Sequence, residues 1–121
     1  MMMKGFHRLA ELPLEKVTDQ YSRRVLVGEK EMIIWASLKG GSHAASHSHP
    51  HEQMFWVTSG RMEFRLGDER RVCEPGDLVL VPGGVEHEAW YPVDTDFVTV
   101  LSPPRADHLP GAPAPKHMVP Q

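Results

Sequence analysis

Apolar residues fall along this chain in short runs, with no segment at the 3.6-residue period of a helix. The clearest run is Arg61–Leu66, where Met62, Phe64 and Leu66 alternate with three charged residues. A period of two sends the apolar set to one face, as in a half-buried strand. Arg24–Val27, Met32–Leu38, Gln53–Thr58, Leu78–Val81, Ala89–Tyr91 and Phe97–Leu101 are rich in β-branched and aromatic residues and read as further strands. Gly28, Gly40-Gly41, Ser59-Gly60, Gly67-Asp68, Gly76 and Pro82 punctuate them. Short strands at close spacing, separated by Gly and Pro turns, predict an all-β antiparallel sandwich or barrel.

The two ends differ from this middle. Residues 1–20 carry only irregular apolar spacing interrupted by Pro13, so an N-terminal arm is expected there. Six of the eleven prolines lie in residues 103–121, which reads as a Pro-rich C-terminal extension whose last dozen residues form an extended or mobile tail. Residues 21–102 remain for the barrel.

Composition narrows the function. Thirteen basic and sixteen acidic side chains give a net charge of −3, which speaks against nucleic-acid binding through phosphate neutralisation. No apolar run approaches the roughly 20 residues of a membrane span. The first residues run into charged sequence without the apolar core of a signal peptide, so a cytoplasmic protein is expected. The single cysteine, Cys73, excludes an internal disulfide and a Cys-rich zinc site, and it reads as a small buried hydrophobe.

Four of the eight histidines, His43, His47, His49 and His51, fall within nine positions. On extended backbone His47, His49 and Gln53 share one face, and Pro50 would turn His51 away. Imidazole is the preferred ligand of Zn, Fe, Ni and Cu, and a His-x-His pair supplies two such nitrogens. The best third donor is His87, because the Pro82-Gly83-Gly84 turn could return it over the sheet. Glu52 has the wrong parity for the same role.

With its flanking residues, this constellation resembles the cupin family. Gly41, His47, His49, Gln53 and Gly60 match the first cupin motif at every spacing, with Gln53 where many members have Glu. Gly76, Pro82, Gly84 and His87 match the second, with Tyr91 at its usual Asn position. The resemblance implies a small jelly-roll barrel holding a divalent metal (Zn, Ni, Fe or Mn) through His47, His49, Gln53 and His87. Four neutral donors would leave the ion its full charge, which favours acidifying bound water or polarising a carbonyl.

Within the cupins, residues 23–28, 47–53 and 102–107 resemble the KdgF-type proteins of pectin breakdown, which convert cyclic unsaturated uronates to linear keto forms. In that subfamily the strand before Ser-Pro-Pro-Arg reads Asp-x-Phe, whereas here Thr99 and Leu101 stand at those positions and only Arg105 is retained. A guanidinium pairs bidentately with a planar carboxylate, so Arg105 is the candidate catalytic residue. A threonine hydroxyl does not exchange protons near neutral pH as a carboxylate does.

Glu86, Glu88 and His51 are expected at the solvated rim. Phe55, Val57, Met62, Phe64 and Trp35 are expected in the core or cavity, and Tyr91 shares the parity of His87. The expected function is metal-dependent isomerisation or ring opening of a small carboxylated, carbohydrate-derived molecule. A three-histidine iron dioxygenase and a non-catalytic metal- or ligand-binding module are the alternatives. A homodimer formed by Arg24–Val27 pairing across a twofold axis is expected from the family and from strand geometry.

Overall fold

The computed structural model describes residues 3–118. Ten strands follow in order: β1 (Glu15–Lys16), β2 (Tyr21–Val27), β3 (Met32–Leu38), β4 (Ser42–His47), β5 (Glu52–Ser59), β6 (Met62–Leu66), β7 (Glu69–Cys73), β8 (Leu78–Val81), β9 (His87–Tyr91) and β10 (Thr95–Ser102). Three single-turn 3-10 helices, Leu9–Glu11, Ala106–His108 and Lys116–Met118, lie outside them. The strands form two antiparallel sheets, of order β1-β2-β3-β10-β5-β8 and β4-β9-β6-β7. The all-β sandwich expected from the sequence is the observed architecture.

Alternation sets which side chains meet between the sheets. β5 buries Gln53, Phe55 and Val57 while Met54 and Trp56 point out, and β10 buries Thr95, Phe97, Thr99 and Leu101. Met62 and Phe64 of β6 face them from the smaller sheet. At the closed end the filling is aromatic: Phe55 lies 5.3 Å from Phe64 and 5.4 Å from Phe97, and Tyr91 stacks on Phe97 at 6.0 Å, spacings typical of favourable ring pairs. Cys73 is buried, as expected. Trp35 is not in this core. It shares the outward parity of its cross-strand partners Arg24 and Val98, so it sits on the outer face of the larger sheet.

Two strands carry no apolar pattern. β4 (Ser-His-Ala-Ala-Ser-His) and β7 (Glu-Arg-Arg-Val-Cys) are strands because β9 and β6 supply ladders for them. Tertiary pairing overrides weak local preference here.

The C-terminal segment also departs from expectation. Residues 103–118 fold back across the open end of the barrel, with Pro115 and His108 buried. The anchor is Arg23 of β2, itself fully buried. Its Nε donates to Glu15 Oε1 at 3.3 Å and its Nη2 to the Leu109 carbonyl at 3.2 Å, while Glu15 Oε2 accepts the Gly111 N–H at 2.8 Å. A buried cation with real partners fixes a segment whose proline content alone predicts mobility. Residues 119–121, the end of the expected tail, lie outside the described residues.

Candidate metal centre

Two turns bring the chemistry together at the mouth of the barrel. His47 ends β4 in the smaller sheet, Gln53 is the second residue of β5 in the larger one, and His49 sits on the turn between them. The shared face expected for His47, His49 and Gln53 is therefore reached differently: they converge from two sheets across a bend. His87 opens β9 directly opposite His47 in the ladder. The turn before His87 packs tightly on the histidine turn. Gly84 N–H donates to the His49 carbonyl at 2.8 Å, and a Cβ on Gly83 would lie 2.4 Å from the Pro50 carbonyl oxygen. Only glycine permits that approach.

One ring nitrogen each of His47, His49 and His87 lies within 4.8 Å of the other two. The Nδ1 of each faces a backbone carbonyl: Ala45 at 2.8 Å, His51 at 3.0 Å and Val85 at 2.9 Å. A carbonyl only accepts, so Nδ1 carries the proton in all three rings and Nε2 is left with a lone pair. Such partners fix tautomer and orientation in metal-ligating histidines. His87 Nε2 is buried with no hydrogen-bond partner among the described residues.

Gln53 completes the set. Its Nε2 donates to Thr99 Oγ1 at 3.0 Å, which turns Oε1 toward His49 Nε2 at 2.9 Å. Without a metal that contact is a hydrogen bond when His49 Nε2 carries a proton. With Nε2 unprotonated the two atoms would turn lone pairs on one cation, at about the separation of adjacent octahedral ligands each held at about 2.1 Å. Rotated by half a turn, the same amide would donate to His49 and offer no ligand; the orientation here is the ligand-presenting one. An orphaned buried nitrogen, three fixed tautomers and an amide oxygen among them fit a divalent ion of the borderline class, and not Mg or Ca, which require oxygen ligands.

Burial sets the electrostatics. It holds His47 and His49 below the ordinary imidazole range and pushes His87 down to about 4, with the positive charge of Arg105 adding to the effect in each case. The rings are neutral at pH 7, the state in which imidazole binds metal.

The C-terminal segment roofs this set. Burial, then Arg105, push His108 to about 3, and its Nδ1 has no partner among the described residues. Burial, then His47 and Arg105, take His117 to about 2. His117 stacks on His47 with centroids 3.8 Å apart and planes 18° from parallel. It lies a ring thickness out of the plane in which His47 presents its nitrogen, so it roofs the site and does not share a cation with His47. Arg105 is mostly buried and its Nε lies 2.7 Å from Asp107 Oδ1. Tyr91, Thr99, His108, His117 and Met118 line, with His47, Gln53 and His87, a cavity of about 40 Å³. That admits a few water-sized groups but not a sugar ring.

The structure thus brings His47, His49, Gln53 and His87 together, with Arg105 near enough for its charge to act on all three imidazoles. Glu52 is exposed, and Glu86 and Glu88 pair with Arg65 on the outside of the smaller sheet. His51 is half-buried and contributes its carbonyl. Three participants escaped the sequence reading: the anchoring role of Thr99, and the roof residues His108 and His117. Two of eight histidines inside a segment read as a Pro-rich extension were the available signal.

Residues 34–102 match the family model for the cupin domain. The pectin degradation protein KdgF of Dickeya dadantii is 28% identical over 105 residues, covering 82% of this chain and 93% of that protein. Among solved structures, KdgF from Halomonas sp. is 25% identical with a TM-score of 0.81, covering 88% of this chain and all of that one. An RmlC-like cupin from Shewanella frigidimarina superposes with a TM-score of 0.83 at 23% identity, covering 88% of this chain and 97% of that one.

Proposed function

This chain belongs to the cupin domain family, and from that premise we propose that it is a metal-dependent cupin enzyme acting on a small carboxylated, carbohydrate-derived substrate by isomerisation or ring opening. The observation that carries the reading is the convergence of three neutral imidazoles and one amide oxygen within the field of the Arg105 charge. His47, His49, His87 and Gln53 would hold a divalent ion, which supplies Lewis acidity toward a hydroxyl or carbonyl oxygen. Arg105 binds the carboxylate: Asp107 engages Nε, and the Nη edge is left to meet two oxygens in a plane. Thr99 acts by orienting Gln53. The resemblance to KdgF proteins in both sequence and structure supports unsaturated uronates as the class to try first. For such a substrate to enter, the part of the roof carrying His117 and Met118 must swing away.

The experiment is incubation of zinc-, nickel-, iron- and manganese-loaded protein with unsaturated uronates while following the enol-ether absorbance. Metal-dependent loss of that absorbance is expected, and none at high enzyme concentration removes this substrate class. The small cavity of about 40 Å³ favours a second reading, a three-histidine iron dioxygenase whose co-substrate is diatomic. Oxygen uptake by the iron form alone would establish it. Ligands that raise the melting temperature and are never turned over would mark a binding module instead.

A further inference from the structure

Eight histidines are more than a four-donor centre uses, and two of the surplus stand in its roof. His108 and His117 lie on two different single-turn helices of the C-terminal strap, Ala106–His108 and Lys116–Met118, yet the fold brings their rings together with centroids 6.0 Å apart. The three rings of the centre itself are spaced at 4.3, 5.0 and 5.6 Å. The roof pair is therefore only slightly wider than the His47–His49 pair beneath it. His108 is 6% exposed, and its Nδ1 is buried without a hydrogen-bond partner among the described residues. His117 is half-buried and makes ring contacts with His47 at 3.8 Å and with His108. A plug needs shape alone, and Pro115 and Met118 already supply apolar shape on the same segment. A buried imidazole nitrogen left without a partner costs free energy that packing does not return.

We propose that His108 and His117 form a transient two-imidazole site that takes up the divalent ion and passes it to His47, His49, Gln53 and His87. The proposal rests on the metal reading of the centre and on no particular reaction. A hydrated cation entering a buried set of donors must shed water before all four are within reach, and a ligand offered on the way lowers that cost. Two imidazoles hold a borderline cation less firmly than three with an amide oxygen, so the ion moves inward and stays there. The stack of His117 on His47 places the roof pair one ring from the final site, so transfer is a short exchange between neighbouring rings.

Charge around the pair permits this. The Arg105 guanidinium opposes a cation in the roof, but Asp107 Oδ1 lies 2.7 Å from its Nε and offsets it. Asp107 also precedes His108 in the chain, so a carboxylate stands beside the proposed point of entry. A donor that holds the ion on the way but not at the end speeds arrival and departure alike and leaves affinity unchanged. A plug acts in the opposite sense, because its removal speeds both. The two roles therefore predict rate changes of different sign for the same residue.

Stopped-flow mixing of the metal-free full chain with cobalt(II), followed by the visible absorption of the bound ion, tests this. Release is read by chasing the cobalt form with excess zinc. His117→Phe keeps a ring over His47 and removes both nitrogens. Association and release should each slow by about tenfold, with cobalt affinity within a few-fold of wild type. His108→Leu should act in the same direction, and His117→Phe, at a half-buried position, carries the test if the buried substitution loosens the strap. An association rate that is unchanged in His117→Phe, or that rises in His117→Ala, leaves the roof a plug and overturns the proposal. A fall in affinity that matches the fall in association rate, with release unchanged, would make the roof histidines permanent ligands and overturn it as well. A wild type that gives no cobalt spectrum removes the centre and the relay together, whereas normal equilibrium binding with unaltered rates removes the relay alone.

Discussion

The floor and the roof of the candidate metal centre are built from different materials. The floor, His47, His49, Gln53 and His87, stands on ladder strands or on a turn locked by Gly83 and Gly84, and each imidazole has its tautomer set by a carbonyl. The roof, Arg105, His108, His117 and Met118, stands on a segment without a ladder, held by side-chain contacts to Arg23 and Glu15 and by one ring stack. Rigid backbone determines where a cation can sit. A loosely tethered segment determines what can reach it. Local openings draw on the segments with fewest buried contacts, so the two should respond to perturbation separately.

The largest effect should come from the floor. His87→Ala removes a ligand with little cost to the metal-free fold, and divalent affinity measured by chelator competition should fall by more than about a hundredfold. His117→Ala should leave that affinity within a few-fold, and an equal loss in both variants would erase the distinction.

Acid comes next. In the folded, metal-free protein His87 is held at about 4 and His108 at about 3, against about 6.5 unfolded. Above pH 6.5 neither state binds the proton and the full stability is present. As pH falls from 6.5 toward 4, the unfolded chain takes up protons that the folded one refuses, so stability is lost. The urea midpoint at pH 5.5 should lie below that at pH 7.5, with about 1 kcal/mol lost per buried histidine. Amide exchange in residues 105–118 should accelerate before that of β9, because opening the roof alone lets His108 protonate.

Thr99→Val should be milder. It leaves the Gln53 amide nitrogen without its acceptor and frees the amide to rotate, lowering metal affinity by about tenfold, as measured by the same competition. A chain ending at Ala112 should show the smallest change. It keeps the Arg23 contacts, loses His117 and Met118, and should cost about 1 kcal/mol in denaturant unfolding while exposing His47 to diethylpyrocarbonate faster than the full chain.

Much of the floor was legible because it rests on local rules. Period two placed the inward faces of β5 and β6 correctly and found β10 as a strand, and glycine and proline positions marked the turns that carry His49 and His87. The reach of the parity argument was shorter than it looked: His47, His49 and Gln53 do converge, but through a bend between sheets, which alternation along one strand does not describe. Trp35 faces outward because inward and outward positions are both apolar on β3, so burial could not be assigned from composition. The roof was illegible for a physical reason. Its order depends on Arg23, more than eighty positions away, and on Glu15, and nothing local to a proline-rich stretch announces a distant buried guanidinium. Thr99 was legible only as a missing carboxylate; its hydrogen bond to Gln53 exists because β5 and β10 are neighbours in register.

The clasp formed by Arg23 and Glu15 ties the two ends of the polypeptide to each other. Its guanidinium is fully enclosed, so removing either the arm before β2 or the strap after β10 strands a cation in the interior, and the remaining end has every reason to let go as well. Proteolytic trimming at one terminus should therefore register at the other, and a nick near Glu15, far from the imidazoles in sequence, would uncover them.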